Sequence, residues 1–307
     1  MLCNKRSNDD INDNVTAEDY CGLDDNRDTN AEVETALRFF PDVLSREDDR
    51  EEYPIHKQLF IKLHNLIGEN HVVPHWRAIS FIPLLVRLGI LLGNFFPEEK
   101  GGLLTWNVDD DNVLQLLMTS SSSSYVTERT NDLIDRVFLL ILIELRQQGF
   151  FIKSDIQEYW LVSTLCLEYY FAERRFQFLI EWDPTSLLQP GPNEDEWLPL
   201  HDTTSRANGM SSIRGFRCVF KYGILYYPYK KGLSLLFRKE YLGDTAFQLA
   251  CNKYGRNEVM EVIESVLIQN SNTPINVIDV LVMAAINENI HYDFIYFLLR
   301  RTPDILT

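Results

Sequence analysis

Six histidines, five cysteines and one basic, tyrosine-rich stretch hold most of the reactive side chains in this 307-residue chain. His71 and His75 stand four apart, the spacing of two metal ligands on one helix face, yet Pro74 interrupts such a helix and no glutamate follows His71. His56 and His201 close the triplets Pro54-Ile55-His56 and Pro199-Leu200-His201, where an imidazole is expected to bond turn backbone; His64 and His291 stand alone. Cys3, Cys21, Cys166, Cys218 and Cys251 are scattered, odd in number and never spaced Cys-x-x-Cys. That pattern predicts free thiols in a reducing, intracellular compartment, cytoplasmic or nuclear, and neither a disulfide framework nor a zinc knuckle. Asp155, Glu144 and Glu168 fall on expected helices with no carboxylate partner at a recognisable spacing. No Gly-x-Gly-x-x-Gly, phosphate loop or Gly-x-Ser-x-Gly is present. The residue types thus predict a non-enzymatic protein with no catalytic, cofactor-binding or metal-binding residues.

The chemistry left over is recognition. Net charge is −16, but no carboxylate lies between Asp202 and Glu240, a stretch holding Arg206, Arg214, Arg217, Lys221, Lys230, Lys231, Arg238 and Lys239. Tyr222, Tyr226, Tyr227 and Tyr229 are interleaved with them. Tyrosine and arginine serve as interface anchors because they bury area at modest entropic cost. Arg214, Arg217, Tyr226, Tyr227, Lys230 and Lys231 are therefore the candidate partner-binding residues; the partner expected is an unidentified protein, an acidic one being one option. Two other readings of the stretch stay open: a solvated outer face, and docking of the chain's own acidic N-terminal segment. A basic aromatic surface also suits nucleic acid, but a chain of net charge −16 repels it at long range.

Elements must position these residues, and the clearest lie between Gly243 and Ile263. Thr245 can cap a first helix through its hydroxyl. Phe247, Leu249, Ala250 and Cys251 follow, and Gly255 suits a left-handed helix end. Val259, Val262, Ile263, Val266 and Leu267 recur at spacings of three and four as the apolar stripe of a second helix. A helix pair this small cannot bury its stripe alone, so further copies are expected to stack on it. Tyr53-Pro54-Ile55-His56 and Leu198-Pro199-Leu200-His201 open similar pairs, and the stretches starting at Asn112, Asp155 and Val280 supply weaker ones. Connectors recur as well: Phe40-Pro41-Asp42-Val43-Leu44, Trp182-Asp183-Pro184 and Thr302-Pro303-Asp304-Ile305-Leu306.

The unit resembles an ankyrin repeat. The order of Phe40-Pro41-Asp42-Val43-Leu44, Arg214-Gly215-Phe216-Arg217, Tyr226-Tyr227-Pro228, Leu235-Leu236-Phe237-Arg238-Lys239 and Asn289-Ile290-His291 is similar to a divergent ankyrin-repeat-like family known from diatoms. The resemblance implies an all-α helix-pair solenoid with short hairpin or loop connectors and a protein-binding role. It brings no catalytic residues. The expected organisation is an acidic disordered tail over 1–36 and about six irregular units over 37–307.

Composition agrees. Apolar content of 45% suffices for a core, and no apolar run approaches the ~20 residues of a membrane span. Residues 1–52 carry 16 acidic and 6 basic side chains, and 1–30 lack apolar periodicity. Ser120–Ser124 and Gln189–Asp195 read as flexible connections. The functional expectation is a protein-interaction module or scaffold that engages an unidentified protein through its concave first-helix face and hairpin tips. The alternative is a structural or adaptor subunit whose acidic tail is the binding element, and an enzyme with an unrecognised site is a remote third.

Overall fold

The computed structural model describes residues 23–48, 52–64, 70–74, 78–120, 127–191, 197–204, 213–227 and 230–269. Within them the chain is mostly helical and divides into two units, Met1–Asp155 and Ile156–Thr307.

The first unit holds α1 (Asn30–Phe39), the short α2 (Pro54–Lys57), β1 (Phe60–His64), β2 (Asn70–Pro74), α3 (Ile82–Leu91), the short α4 (Val113–Leu116) and α5 (Glu128–Gln147). Strands β1 and β2 form one antiparallel hairpin in the register Phe60–Pro74 to His64–Asn70. The long helices α1, α3 and α5 contact one another in series. Val33 and Leu37 of α1 pack with Leu44, Phe81, Leu84, Leu85 and Leu88, so burial at spacings of three and four decides which face of α3 turns inward. Gly89 and Gly101 let the turn after α3 press on that helix. A Cβ on Gly89 would meet the Gly101 carbonyl oxygen at 2.6 Å.

The boundary between the units falls within α6 (Lys153–Glu158). The second unit continues with α7 (Leu161–Cys166), α8 (Glu173–Trp182), α9 (Pro199–Asp202), α10 (Arg214–Tyr226), α11 (Lys230–Ser234), α12 (Ala246–Tyr254) and α13 (Arg256–Gln269). Here two layers are visible. Helices α7, α9 and α12 contact in sequence, and so do α8, α10 and α13.

Local chemistry sets the helix ends. A residue before proline resists the α conformation. Phe40, Asp183 and Tyr227 each precede a proline, and each closes a long helix in nearly the same backbone conformation (φ/ψ −131/63°, −133/84° and −123/65°). The starts of the short helices are equally regular. Asn112 accepts from the Gln115 N–H while Gln115 accepts from the Asn112 N–H, both at 3.0 Å. Thr245 and Gln248 form the same reciprocal box at 3.2 and 3.0 Å, as expected for Thr245.

Several expectations need correction. The segment 1–36 does not stay unstructured to its end: Thr29 caps α1, and Val33 and Leu37 are buried because they complete the α3 core. Asp155 to Glu168 is not one helix, since Trp160 adopts a left-handed backbone (φ 47°) between α6 and α7. Gly255 has the expected positive φ (86°), but its ψ of 142° is extended, so it reverses the chain without a left-handed helical cap. The expectation that Pro74 rules out a helical pair at His71 needs none: His71 and Pro74 lie in β2, and His75 lies outside the described residues. The stretch starting at Val280, the closing connector at 302–306, residues 1–22 and most of the Ser120–Ser124 run lie outside the described residues.

Candidate functional site

Two hairpins of different sequence have one geometry. Trp106 bridges Asn112, and Lys239 bridges Thr245, each directly ahead of a short capped helix. In the first, the Asn107 N–H donates to the Asp111 carbonyl at 3.0 Å and the Asp110 N–H to the Asn107 carbonyl at 3.2 Å. In the second, the Glu240 N–H donates to Asp244 at 2.9 Å and the Gly243 N–H to Glu240 at 3.0 Å. Asp110 and Gly243 occupy the same place, both at positive φ (58° and 95°), where the turn requires it.

One polar side chain pins each tip from within. Asn107 Oδ1 accepts the Asp109 and Asp111 N–H groups at 3.0 and 2.9 Å. Glu240 accepts the equivalent Leu242 and Asp244 N–H groups, both at 2.9 Å, using one carboxylate oxygen for each. The indole N–H of Trp197 approaches Glu240 at 3.4 Å.

The histidines anchor the bases of these hairpins. His201 Nδ1 accepts the Leu198 N–H at 3.2 Å, so Nε2 carries the proton and donates to the Arg238 carbonyl at 3.1 Å. His56 Nε2 donates to the Thr105 carbonyl at 3.0 Å. Thr105 and Arg238 immediately precede the two bridge residues, so each histidine of a short helix holds the base of the hairpin that follows. This revises the expectation for His56, whose partner is not its own turn but backbone 49 residues away. Burial lowers both imidazoles, His201 to about 4, which favours the neutral form that this bonding needs.

The tips present large apolar side chains beside exposed Asp109, Asp110 and Asp244. Tyr241 and Leu242 are 77% and 78% exposed, while Trp106 and Val108 are half-exposed. Hairpin tips are an expected contact surface, but these four residues are not among the expected ones. The signal was available in principle: a large apolar residue beside Asn or Glu, in a turn ahead of a capping box.

Four of the six basic and tyrosine candidates are spread along α10 and its end. Arg214 and Arg217 are exposed near the start of α10, on a stripe continued by Lys221. Tyr226 ends that helix and Tyr227 caps it, ~18 Å along the axis from Arg214. Tyr226 stacks on the buried Tyr222 at 6.2 Å, and Lys221 lies 5.6 Å from the Tyr222 ring. Lys230 and Lys231 open α11. The stripe belongs to the layer of long helices, not to the short-helix layer. Arg214 pairs with Glu173 of α8 at 3.2 Å, and α13, which packs on the other side, carries exposed Glu258, Glu261 and Glu264.

The remaining reactive groups are built into the fold. Asp155 is buried and receives Lys100 Nζ at 2.7 and 2.8 Å and the Ile152 N–H at 2.9 Å. Burial pushes the Cys218 thiol up to about 12 and the Cys166 thiol well above its ordinary value, disfavouring thiolate at both. Asp202 is pushed up to about 8 by burial, against a hydrogen bond from Ser163 that favours the anion. Among the described residues, no helix is long and apolar enough to cross a membrane. Compared with known proteins, the chain matches no family model, no curated protein and no solved structure.

Proposed function

We propose that this chain is a protein-interaction module, an ankyrin-like array of helix pairs whose hairpin tips take the partner. The observation that carries the reading is the congruence of the hairpins at Trp106–Asn112 and Lys239–Thr245. A side-chain pin, a histidine clamp and a capping box hold each tip, yet the tips expose Trp106, Val108, Tyr241 and Leu242. A turn fixed in advance loses little entropy on binding, so its exposed aromatic and aliphatic side chains can act as anchors. The serial contacts of short helices and of long helices in the second unit support the helix-pair array. On this reading Arg214, Arg217 and Lys221 influence encounter more than affinity, because exposed charges act mainly by steering.

The test is cross-linking and affinity capture with the full chain and with a variant carrying Trp106→Ser, Val108→Ser, Tyr241→Ser and Leu242→Ser. All four side chains are exposed, so the circular dichroism spectrum should be unchanged. Loss of the captured proteins is expected. Capture of the same set at the same yield by a folded variant overturns the reading.

A further inference from the structure

Among the described residues of the first unit, three exposed phenylalanines lie at two neighbouring helix ends. Phe39 and Phe40 close α1, Ile90 and Leu91 close α3, and Phe96 follows α3 by one short loop. Phe39, Phe96 and Phe40 are 76%, 75% and 68% exposed, and Ile90 and Leu91 are exposed by about half. The two helix ends lie side by side: α1 contacts α3, and Asn94 Nδ2 donates to the Pro41 carbonyl at 3.0 Å. That bond ties the loop bearing Phe96 to the turn that follows Phe40. The Phe96 N–H is in turn held by Glu99 at 2.7 Å. The patch is thus fixed before any partner arrives.

We infer that this surface binds a second copy of the same chain, about a twofold axis. Two observations select that occupant, and the first is area. Three phenylalanines at roughly three-quarters exposure, plus two half-exposed aliphatics, present roughly 500–600 Å² of apolar surface, the upper end of what a monomer leaves bare. With the charged side chains around it, the patch approaches the ~800 Å² that one partner contributes to a stable interface.

The second observation is the order of charge across the patch. On the helix-body side stand Arg38 and Arg87, both exposed and sharing the single carboxylate of Glu34 at 2.8 and 2.7 Å, which leaves positive charge in excess. On the far side, past the helix ends, stand exposed Asp42, Glu47 and Glu98 with one exposed arginine, Arg46, so acidic charge is in excess there. Along both helices the sequence of surfaces is therefore basic, apolar, acidic. A twofold axis through the apolar centre places the basic edge of each copy on the acidic edge of the other. A self-complementary patch is what an isologous contact requires, and the apolar-centre, charged-rim layout is that of an interface.

Sedimentation velocity of the full chain over a wide concentration range tests this. A monomer–dimer equilibrium is expected, and Phe40→Ser with Phe96→Ser should raise the dissociation constant about 30-fold or more. Charge reversal supplies a test that leaves the apolar centre intact. Arg38→Glu with Arg87→Glu makes both edges acidic, and Asp42→Lys with Glu98→Lys makes both edges basic. Neither variant should self-associate, whereas an equimolar mixture should form a heterodimer. A wild-type chain that stays monomeric up to ~1 mM, a concentration at which even an association of about −4 kcal/mol is half formed, overturns the inference. So does a wild-type dimer indifferent to both sets of substitutions. Because the hairpin tips are untouched, these outcomes are independent of the interaction-module test.

Discussion

Glu240→Ala removes the pin of the second hairpin, and its cost can be worked from the structure. The residue is buried, and its carboxylate accepts two backbone N–H groups at 2.9 Å and an indole N–H at 3.4 Å. Losing a hydrogen bond to a charged acceptor costs about 1.5–3 kcal/mol when the donor is left dry. The tip borders solvent, so water recovers part of this, and the long indole contact adds little. The sum is about 2–4 kcal/mol. Asn107→Ala at the equivalent place removes two bonds at 3.0 and 2.9 Å to a neutral amide oxygen that is itself partly exposed, for about 1–2 kcal/mol. Urea denaturation gives the totals. Amide exchange at Leu242 and Asp244, or at Asp109 and Asp111, shows whether the loss is local, since two compact units need not unfold together. A Glu240→Ala cost below about 0.5 kcal/mol, within the ordinary range for surface substitutions, would refute the pinning argument.

Three further outcomes follow from burial. His201 is neutral in the fold with its imidazole lowered to about 4, against about 6.5 when unfolded, so stability should be full above pH ~6.5 and fall by about 3 kcal/mol as pH drops to ~4. His201→Gln can keep the Leu198 capping bond, as Gln115 and Gln248 do at equivalent places, and should flatten that limb in urea titrations across pH. Asp202 has the opposite sign: raised to about 8, it favours the fold below pH ~3.9, and that advantage is lost as pH rises through ~8. Asp202→Asn should therefore raise the denaturation midpoint at pH 8, by about 2–4 kcal/mol in stability, and change little at pH 4. Leu200→Ala and Phe247→Ala should each destabilise by about 2–5 kcal/mol in urea unfolding, because each deletes a buried anchor of a short helix.

Features set within about four residues were legible in the sequence. The Thr245 cap, the Val259–Leu267 stripe and the Phe40-Pro41 and Asp183-Pro184 helix ends all depend on neighbours along the chain. The same holds for the Asn112 helix start, which looked weak as a repeat but carries a full capping box, since cap strength depends on four residues and not on likeness to other units.

What the sequence left open are relations between segments far apart in it. The partner of His56 is a carbonyl 49 residues on, and no local pattern marks a backbone oxygen as an acceptor. The equivalence of Asn107 and Glu240 is invisible to residue type, because one amide oxygen and two carboxylate oxygens satisfy the same pair of N–H groups. Composition made the 203–239 stretch look singular, whereas packing sets α10 between helices that carry exposed glutamates. Periodicity likewise gave no sign that Phe39, Phe40 and Phe96 stay in solvent while Leu37, Leu88 and Phe81 are covered. An apolar side chain announces only that it prefers to be buried; which surface remains to bury it is decided when the helices have packed.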